Sequence, residues 1–173
     1  MSLPSPYWKA PSECSPSELA AFAACVREGG EVASDGLDEL IQNATRLVFC
    51  QNESGLIGVA AIKNPRDSYR FKISKRANVQ LARDTWPHEL GWVFVVPSGR
   101  GQGLSKSLVA CATDNLGSAV FATSRTDNVY MHATLRGVGF VAMGDPYKSD
   151  KGEHSLQLFA LDAKAKAPAQ ATV

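Results

Sequence analysis

The residues best placed to do chemistry lie in one stretch, Glu89 to Ser105, which reads ELGWVFVVPSGRGQGLS. An apolar run, Trp92-Val93-Phe94-Val95-Val96, stops at Pro97. A Gly/Ser turn follows, and Arg100-Gly101-Gln102-Gly103 then opens into a segment with helical spacing of apolar residues. Strand, tight glycine turn and helix start make an anion site in that order. The first N–H groups of a helix lack internal partners, and its dipole favours negative charge there. The chemistry this predicts is the binding of a phosphate-bearing ligand. Two common versions of such a loop fail on the residues. A Walker A loop needs glycine before Lys106-Ser107, but Ser105 stands there, and its first glycine falls on Arg100. A dinucleotide fingerprint started at Gly99 ends on Leu104, and one started at Gly101 ends on Lys106.

Elsewhere the chemistry-bearing residues are scattered. His132 and His154 do not cluster with Cys, Asp or Glu at ligand spacing, so no metal site is expected. Cys14, Cys25, Cys50 and Cys111 form no C-x-x-C pair and read as free thiols, in keeping with a reducing cytosol. Residues 63–84 carry seven basic side chains (Lys63, Arg66, Arg70, Lys72, Lys75, Arg76 and Arg83) against two acids (Asp67 and Asp84). They read either as a patch for an acidic or phosphorylated partner or, more plainly, as the solvated face of a short helix or strand. A formal net charge of +1 argues against a dedicated nucleic-acid binder. The N-terminus has no signal-peptide core and no stretch is long enough to span a membrane, so a cytoplasmic protein is expected.

The positioning elements follow from patterning. With 173 residues, 45% hydrophobic and 20% charged, one domain over residues 1–162 is expected, with a disordered tail at 163–173. Tyr7-Trp8-Lys9 reads as a short first strand. Ser15-Pro16-Ser17-Glu18 is a helix start with N-cap, proline at the first position and capping-box glutamate. Leu19, Phe22, Ala23 and Val26 give that helix one buried face, and Gly29-Gly30 ends it. Asp35 is expected to cap a second helix with Leu37, Leu40 and Ile41 inside. Arg46 to Gln51 and Leu56 to Ile62 read as a hairpin around Asn52-Glu53-Ser54-Gly55. Beyond the glycine turn, a helix is predicted from Gly101 to about Leu116 and a strand over Ala119 to Thr123. A helix from Asn128 to about Arg136, capped by Thr126 or Asp127, and two closing strands complete the chain. Strand–helix–strand passages force some parallel pairing and the hairpins force antiparallel pairing, so the fold class is α/β with a mixed sheet.

With these residues in place, the chain resembles the GCN5-related N-acetyltransferases, the GNAT superfamily. Val95-Val96-Pro97-Ser98-Gly99-Arg100-Gly101-Gln102-Gly103-Leu104-Ser105 follows that family's V-x-P-x-x-R-G-x-G-x-(G/A) signature, with Ser105 in place of the last Gly or Ala. Asn128 followed by Gly139-Phe140 is similar to its N-x₁₀-GF ending. The resemblance implies a mostly antiparallel sheet in which the fourth and fifth strands run parallel and splay apart, with helices flanking. It implies acetyl-CoA or a near relative as co-substrate and no metal. It places pyrophosphate on the backbone of Arg100, Gly101, Gln102, Gly103, Leu104 and Ser105, and the pantetheine amides against Val95 and Val96. Asn128 falls where family members contact the cofactor beyond the thioester.

The same resemblance assigns catalytic positions. Glu89 lies where several relatives hold a general base, and the start of an apolar strand would raise its pKa to a useful value; the plainer reading is a strand-end carboxylate paired with an arginine. His88 is the neighbouring alternative. The relatives' thiol-protonating tyrosine falls on Leu135 here, and Tyr130 is the substitute considered, with half-buried packing as its plainer reading. A hydroxyl such as Ser124, or water, within a well-oriented complex is the other route. Trp86 and Trp92 flank Glu89 and would wall an acceptor pocket or pack in the core. The implied function is direct acyl transfer to a primary amine of a small molecule or peptide, with a homodimer left open. A non-catalytic acyl-CoA-binding or sensor module is the alternative that Leu135 favours. A nucleic-acid or phospho-ligand binder acting through residues 63–83 is the third reading.

Overall fold

The computed structural model describes residues 2–30 and 35–163. In chain order the elements are β1 (Tyr7–Lys9), α1 (Pro16–Glu28), α2 (Leu37–Gln42), β2 (Arg46–Asn52), β3 (Gly55–Lys63), α3 (Asp67–Ala77), β4 (His88–Val95), α4 (Leu104–Thr113), β5 (Val120–Arg125), α5 (Val129–Val138), β6 (Val141–Lys148) and β7 (Ser155–Leu161). Single 3₁₀ turns occupy Pro11–Glu13 and Pro97–Gly99. The seven strands form one sheet in the order β1-β2-β3-β4-β5-β7-β6. Every neighbouring pair is antiparallel except β4 and β5, which run parallel as expected. The expected tail beyond Ala163 concerns residues outside the described ones.

Several helix ends follow their sequence signals. Ser15 Oγ accepts from the Glu18 N–H and Glu18 reaches back to the Ser15 N–H, closing the capping box. Phe22, Ala23, Cys25 and Val26 are the face that α1 buries, against Leu47, Phe49, Val59 and Ala61 of the sheet. Other ends differ. Gly36, in the left-handed region, caps α2 where Asp35 was expected, and Leu40 is exposed while Leu37 and Ile41 are buried. α4 begins at Leu104 rather than Gly101, because Gly101 and Gly103 both adopt left-handed backbone (φ 77° and 75°) that a helix cannot contain. Asn128 is itself the cap of α5: its Oδ1 accepts the Met131 N–H at 3.1 Å.

Helices cover both faces. α4 and α5 lie on one, where Leu104, Leu108 and Leu135 pack onto Val48, Ala60, Ile62, Leu90 and Val120. Gly58 admits α4 closely: a Cβ there would stand 2.9 Å from Leu108 Cδ1. α1 and α2 cover the β2–β4 part of the other face, and α3 covers its β5–β7 part through Ile73 and Ala77 against Phe121 and Leu158. Arg46 of β2 ties α4 down from beneath. Its guanidinium donates to the carbonyls of Ala112 (3.1 Å), Asp114 (2.6 Å) and Asn115 (3.3 Å) and lies 4.2 Å from the Trp8 ring centroid. These are the carbonyls that the end of a helix leaves unpaired, and a cation is favoured there.

Candidate active site

The opening in the sheet is built by β4. Only two rows join it to β5, His88↔Val120 and Glu89↔Phe121, after which the strands part. β4 stays paired with β3 along its length, with Ile62↔Leu90, Ala61↔Gly91 and then, after a bulge, Val59↔Phe94 and Gly58↔Val95. The bulge puts Trp92 and Val93 opposite Ala60, with Trp92 at φ 52°, a conformation that bulky side chains seldom adopt. It reverses the alternation of faces. Trp92 and Phe94 both pack on the α1 side, while Val93 and Val95 join the α4 side. Trp92 therefore packs edge-on to Phe22, its ring centroid 6.2 Å away, as a core residue.

Past the bulge, the Val96 N–H donates to Ile57 O at 2.9 Å. Alternation then turns the N–H and C=O of Val95 away from β3 and into the opening. Val96 was expected to serve an incoming amide chain alongside Val95, but its N–H is already used within the sheet. The Arg100 side chain is engaged within the turn: its Nε donates to Val95 O at 3.1 Å and its guanidinium lies 5.8 Å from the Phe94 ring centroid. It braces the turn with its side chain. Around Gly101 and Gly103 nothing lies within 4 Å of where a Cβ would stand, so the backbone there faces open space. Gln102 is exposed between them, and Leu104, buried, anchors the first turn of α4 while Ser105 follows half-buried. A pyrophosphate fits this loop: open left-handed glycines, followed by the unpaired first N–H groups of a ten-residue helix. Asn128 stands exposed at the start of α5, its side-chain oxygen already committed to the cap.

Glu89 occupies the last paired row before the strands part, and only 4% of its surface is exposed. Its two carboxylate oxygens have separate partners. Oε1 accepts from the Tyr69 hydroxyl of α3 at 2.9 Å, and Oε2 faces the Lys63 ammonium of β3 at 3.3 Å. Tyr69 as a whole is 37% exposed, yet its hydroxyl end is enclosed. Burial, then the Glu89 charge and the hydrogen bond to it, hold this phenol well above its ordinary pKa. Burial and the Glu89 charge push Tyr147 of β6 up to about 12. Both phenols therefore keep their protons at neutral pH. His88 bonds through Nδ1 to Asn64 Oδ1 at 3.0 Å, and burial first, then Arg70 and Arg46, lower its pKa.

Glu89 and the glycine loop thus lie on one strand, at opposite ends of the opening, while Tyr130 is elsewhere. It is 85% exposed on the first turn of α5, and the phenols grouped with Glu89 are Tyr69 and Tyr147. Leu135, at the position where the resemblance implies a tyrosine, is buried in the α4-side core. Ser124 is buried and its Oγ reaches Arg125 O at 3.5 Å. The partner of Glu89 is a lysine and a tyrosine rather than an arginine, and both come from the stretch read only as a charge run. Within that run Arg70 is buried, while Lys72, Arg76 and Arg83 form ion pairs at the surface. Arg70 donates to the carbonyls of Trp86 and Pro87, Lys72 and Arg76 pair with Asp150, and Arg83 pairs with Asp67. Among the described residues no group of His, Cys, Asp and Glu has the makings of a metal site, and no helix is long and apolar enough to cross a membrane.

No family model matches the chain, and no curated protein matches it in sequence. Solved structures do match in backbone. An acyl-CoA N-acyltransferase from Pseudomonas aeruginosa superposes with TM-score 0.63 at 17% identity, covering 92% of this chain and 99% of that one. A GNAT superfamily phosphinothricin acetyltransferase from Sinorhizobium meliloti, in complex with AcCoA, gives 0.66 at 14%, covering 96% and 95%. A GNAT family acetyltransferase from Streptococcus agalactiae gives 0.66 at 12%, covering 94% and 98%. At such identities the likeness is one of architecture, and together with the parallel, parting β4/β5 pair it is unambiguous: the chain has the GNAT fold.

Proposed function

We propose that this protein is an acyl-CoA-dependent N-acyltransferase, with acetyl-CoA as donor and a primary amine as acceptor. The observation that carries the reading is the placement of Glu89, a buried carboxylate at the root of the β4/β5 opening, on the same strand that leads to an open glycine loop. The matching folds, named as acyl- and acetyltransferases, support it. In this reading Gly101 to Ser105 hold the donor's pyrophosphate with backbone N–H groups. Val95 offers its N–H to the donor arm or to the negative charge developing on the thioester oxygen. Glu89 takes the proton that the amine loses as its nitrogen bonds to the acyl carbon, and the carbon–sulfur bond breaks. The CoA sulfur leaves as thiolate and is protonated by water, since the α5 position that holds a tyrosine in relatives is a buried leucine. The products are the N-acylated acceptor and free CoA. Four unpaired cysteines suit a cytoplasmic setting.

The test is an acceptor screen that follows thiol release from acetyl-CoA, with calorimetry of acetyl-CoA binding beside it. Gly101→Val and Gly103→Val are expected to weaken acetyl-CoA binding about 5- to 30-fold each. An L-residue in that backbone region costs about 1–2 kcal/mol, which binding must overcome to restore the loop. Undiminished binding in both variants counts against the loop as the cradle. The buried Leu135 favours one second reading, a non-catalytic acyl-CoA sensor. Acetyl-CoA binding without turnover for any amine would support that reading instead.

A further inference from the structure

Lys63 and Gly91 have no assigned role, and their geometry is specific. Lys63 closes β3 and stands directly across the antiparallel ladder from Glu89. Two residues along β4, on the same face, the missing side chain of Gly91 leaves a slot. A Cβ there would stand 2.9 Å from Lys63 Cε, 3.0 Å from Nζ and 3.1 Å from Cδ. The end of Lys63 lies in that slot, and its ammonium meets Glu89 Oε2 at 3.3 Å and the Trp92 ring at 5.1 Å. The bulge with Trp92 at φ 52° is what turns that ring to this face. We propose that Lys63, seated in the Gly91 slot, is a positioning residue for the acyl-transfer step: it fixes the orientation of the Glu89 carboxylate toward the amine.

This rests on Glu89 being the base. The other titratable or charged groups facing Glu89 are Tyr69 and Arg70 of α3 and Tyr147 of β6. Tyr69 and Tyr147 keep their protons at neutral pH, and Arg70 is held by the carbonyls of Trp86 and Pro87. Among the described residues, Lys63 is the cation paired with the carboxylate itself, so its removal changes the site's charge most directly.

The experiment measures kcat and KM for acetyl-CoA for wild type, Lys63→Met, Lys63→Arg, Gly91→Ala and the double variant Lys63→Met/Gly91→Ala. The acceptor is the amine that releases thiol fastest in the screen above. Lys63→Met should lower kcat about ten- to a hundredfold with KM for acetyl-CoA unchanged. Lys63→Arg should restore most of the rate. Gly91→Ala should reproduce the effect of Lys63→Met, since the added methyl evicts the lysine tip, and should add nothing in the Lys63→Met background. Melting curves of Lys63→Arg and Gly91→Ala keep the test sound if Lys63→Met does not fold. Wild-type kcat in Lys63→Met and Gly91→Ala would overturn the inference while leaving the acyltransferase reading intact. Multiplying effects in the double variant would overturn the slot. Absence of wild-type turnover with every amine would overturn the acyltransferase reading, and the inference with it.

Discussion

Glu89→Gln should cut kcat for acyl transfer by about a hundred- to ten-thousandfold while acetyl-CoA still binds. The substitution keeps the shape of the side chain, and the cradle at Gly101 to Ser105 lies at the other end of the opening. The Tyr69 hydroxyl still finds an acceptor in the amide oxygen, so the site stays assembled. What is lost is the ability to take a proton. The measurement is thiol release under single-turnover conditions, paired with acetyl-CoA titration by calorimetry. A rate within a few-fold of wild type would mean that Glu89 is a structural carboxylate and that the amine reaches the thioester already deprotonated. Loss of binding together with rate would mean that the substitution had damaged the fold.

The largest expected effect on stability is at Arg46, far from the opening. Arg46→Met should cost about 3 kcal/mol, a fall in melting temperature of about 6–12 °C for a chain of this size. Three helix-end carbonyls, one of them from buried Ala112, would lose their donors, and the Trp8 ring would lose its cation. Arg46→Lys should recover less than half of the loss, because one ammonium cannot fork among three acceptors. Thermal melting of the three proteins decides it. An Arg46→Met protein melting within 2 °C of wild type, about the shift expected from 1 kcal/mol, would show that water replaces those bonds without cost.

The parts of this molecule that were legible in sequence are those where local chemistry and burial agree. Ser15 and Glu18 form the capping box that their spacing predicts, and the Val-rich run before Pro97 is a strand. The parting β4/β5 pair follows from the implied fold. Residues 63–84 were illegible for a physical reason. The inner stripe of α3 is Arg70, Ile73 and Ala77, so one of its few buried positions is a charged residue and the apolar period disappears. A buried arginine held by the Trp86 and Pro87 carbonyls leaves no trace in hydropathy. With that helix unread, Tyr69 had no address and could not be brought to Glu89. Lys63 was closer to reach, since a strand after a hairpin strand pairs somewhere, but the register that sets it opposite Glu89 passes through a connecting helix. Asn128 was placed on the right turn, with its side chain bound to the backbone ahead of it.

The seam between β4 and β5 closes after two rows, and the rest of β4 is bare on that side. This makes the strand a ruler. Glu89 and Val95 stand opposite Lys63 and Gly58, five steps along β3 or about 17 Å, and that length fixes how far a ligand anchored at the glycine loop would have to extend to reach the carboxylate. Removing two residues from this span would preserve which face each side chain occupies but shorten the gauge by about 7 Å.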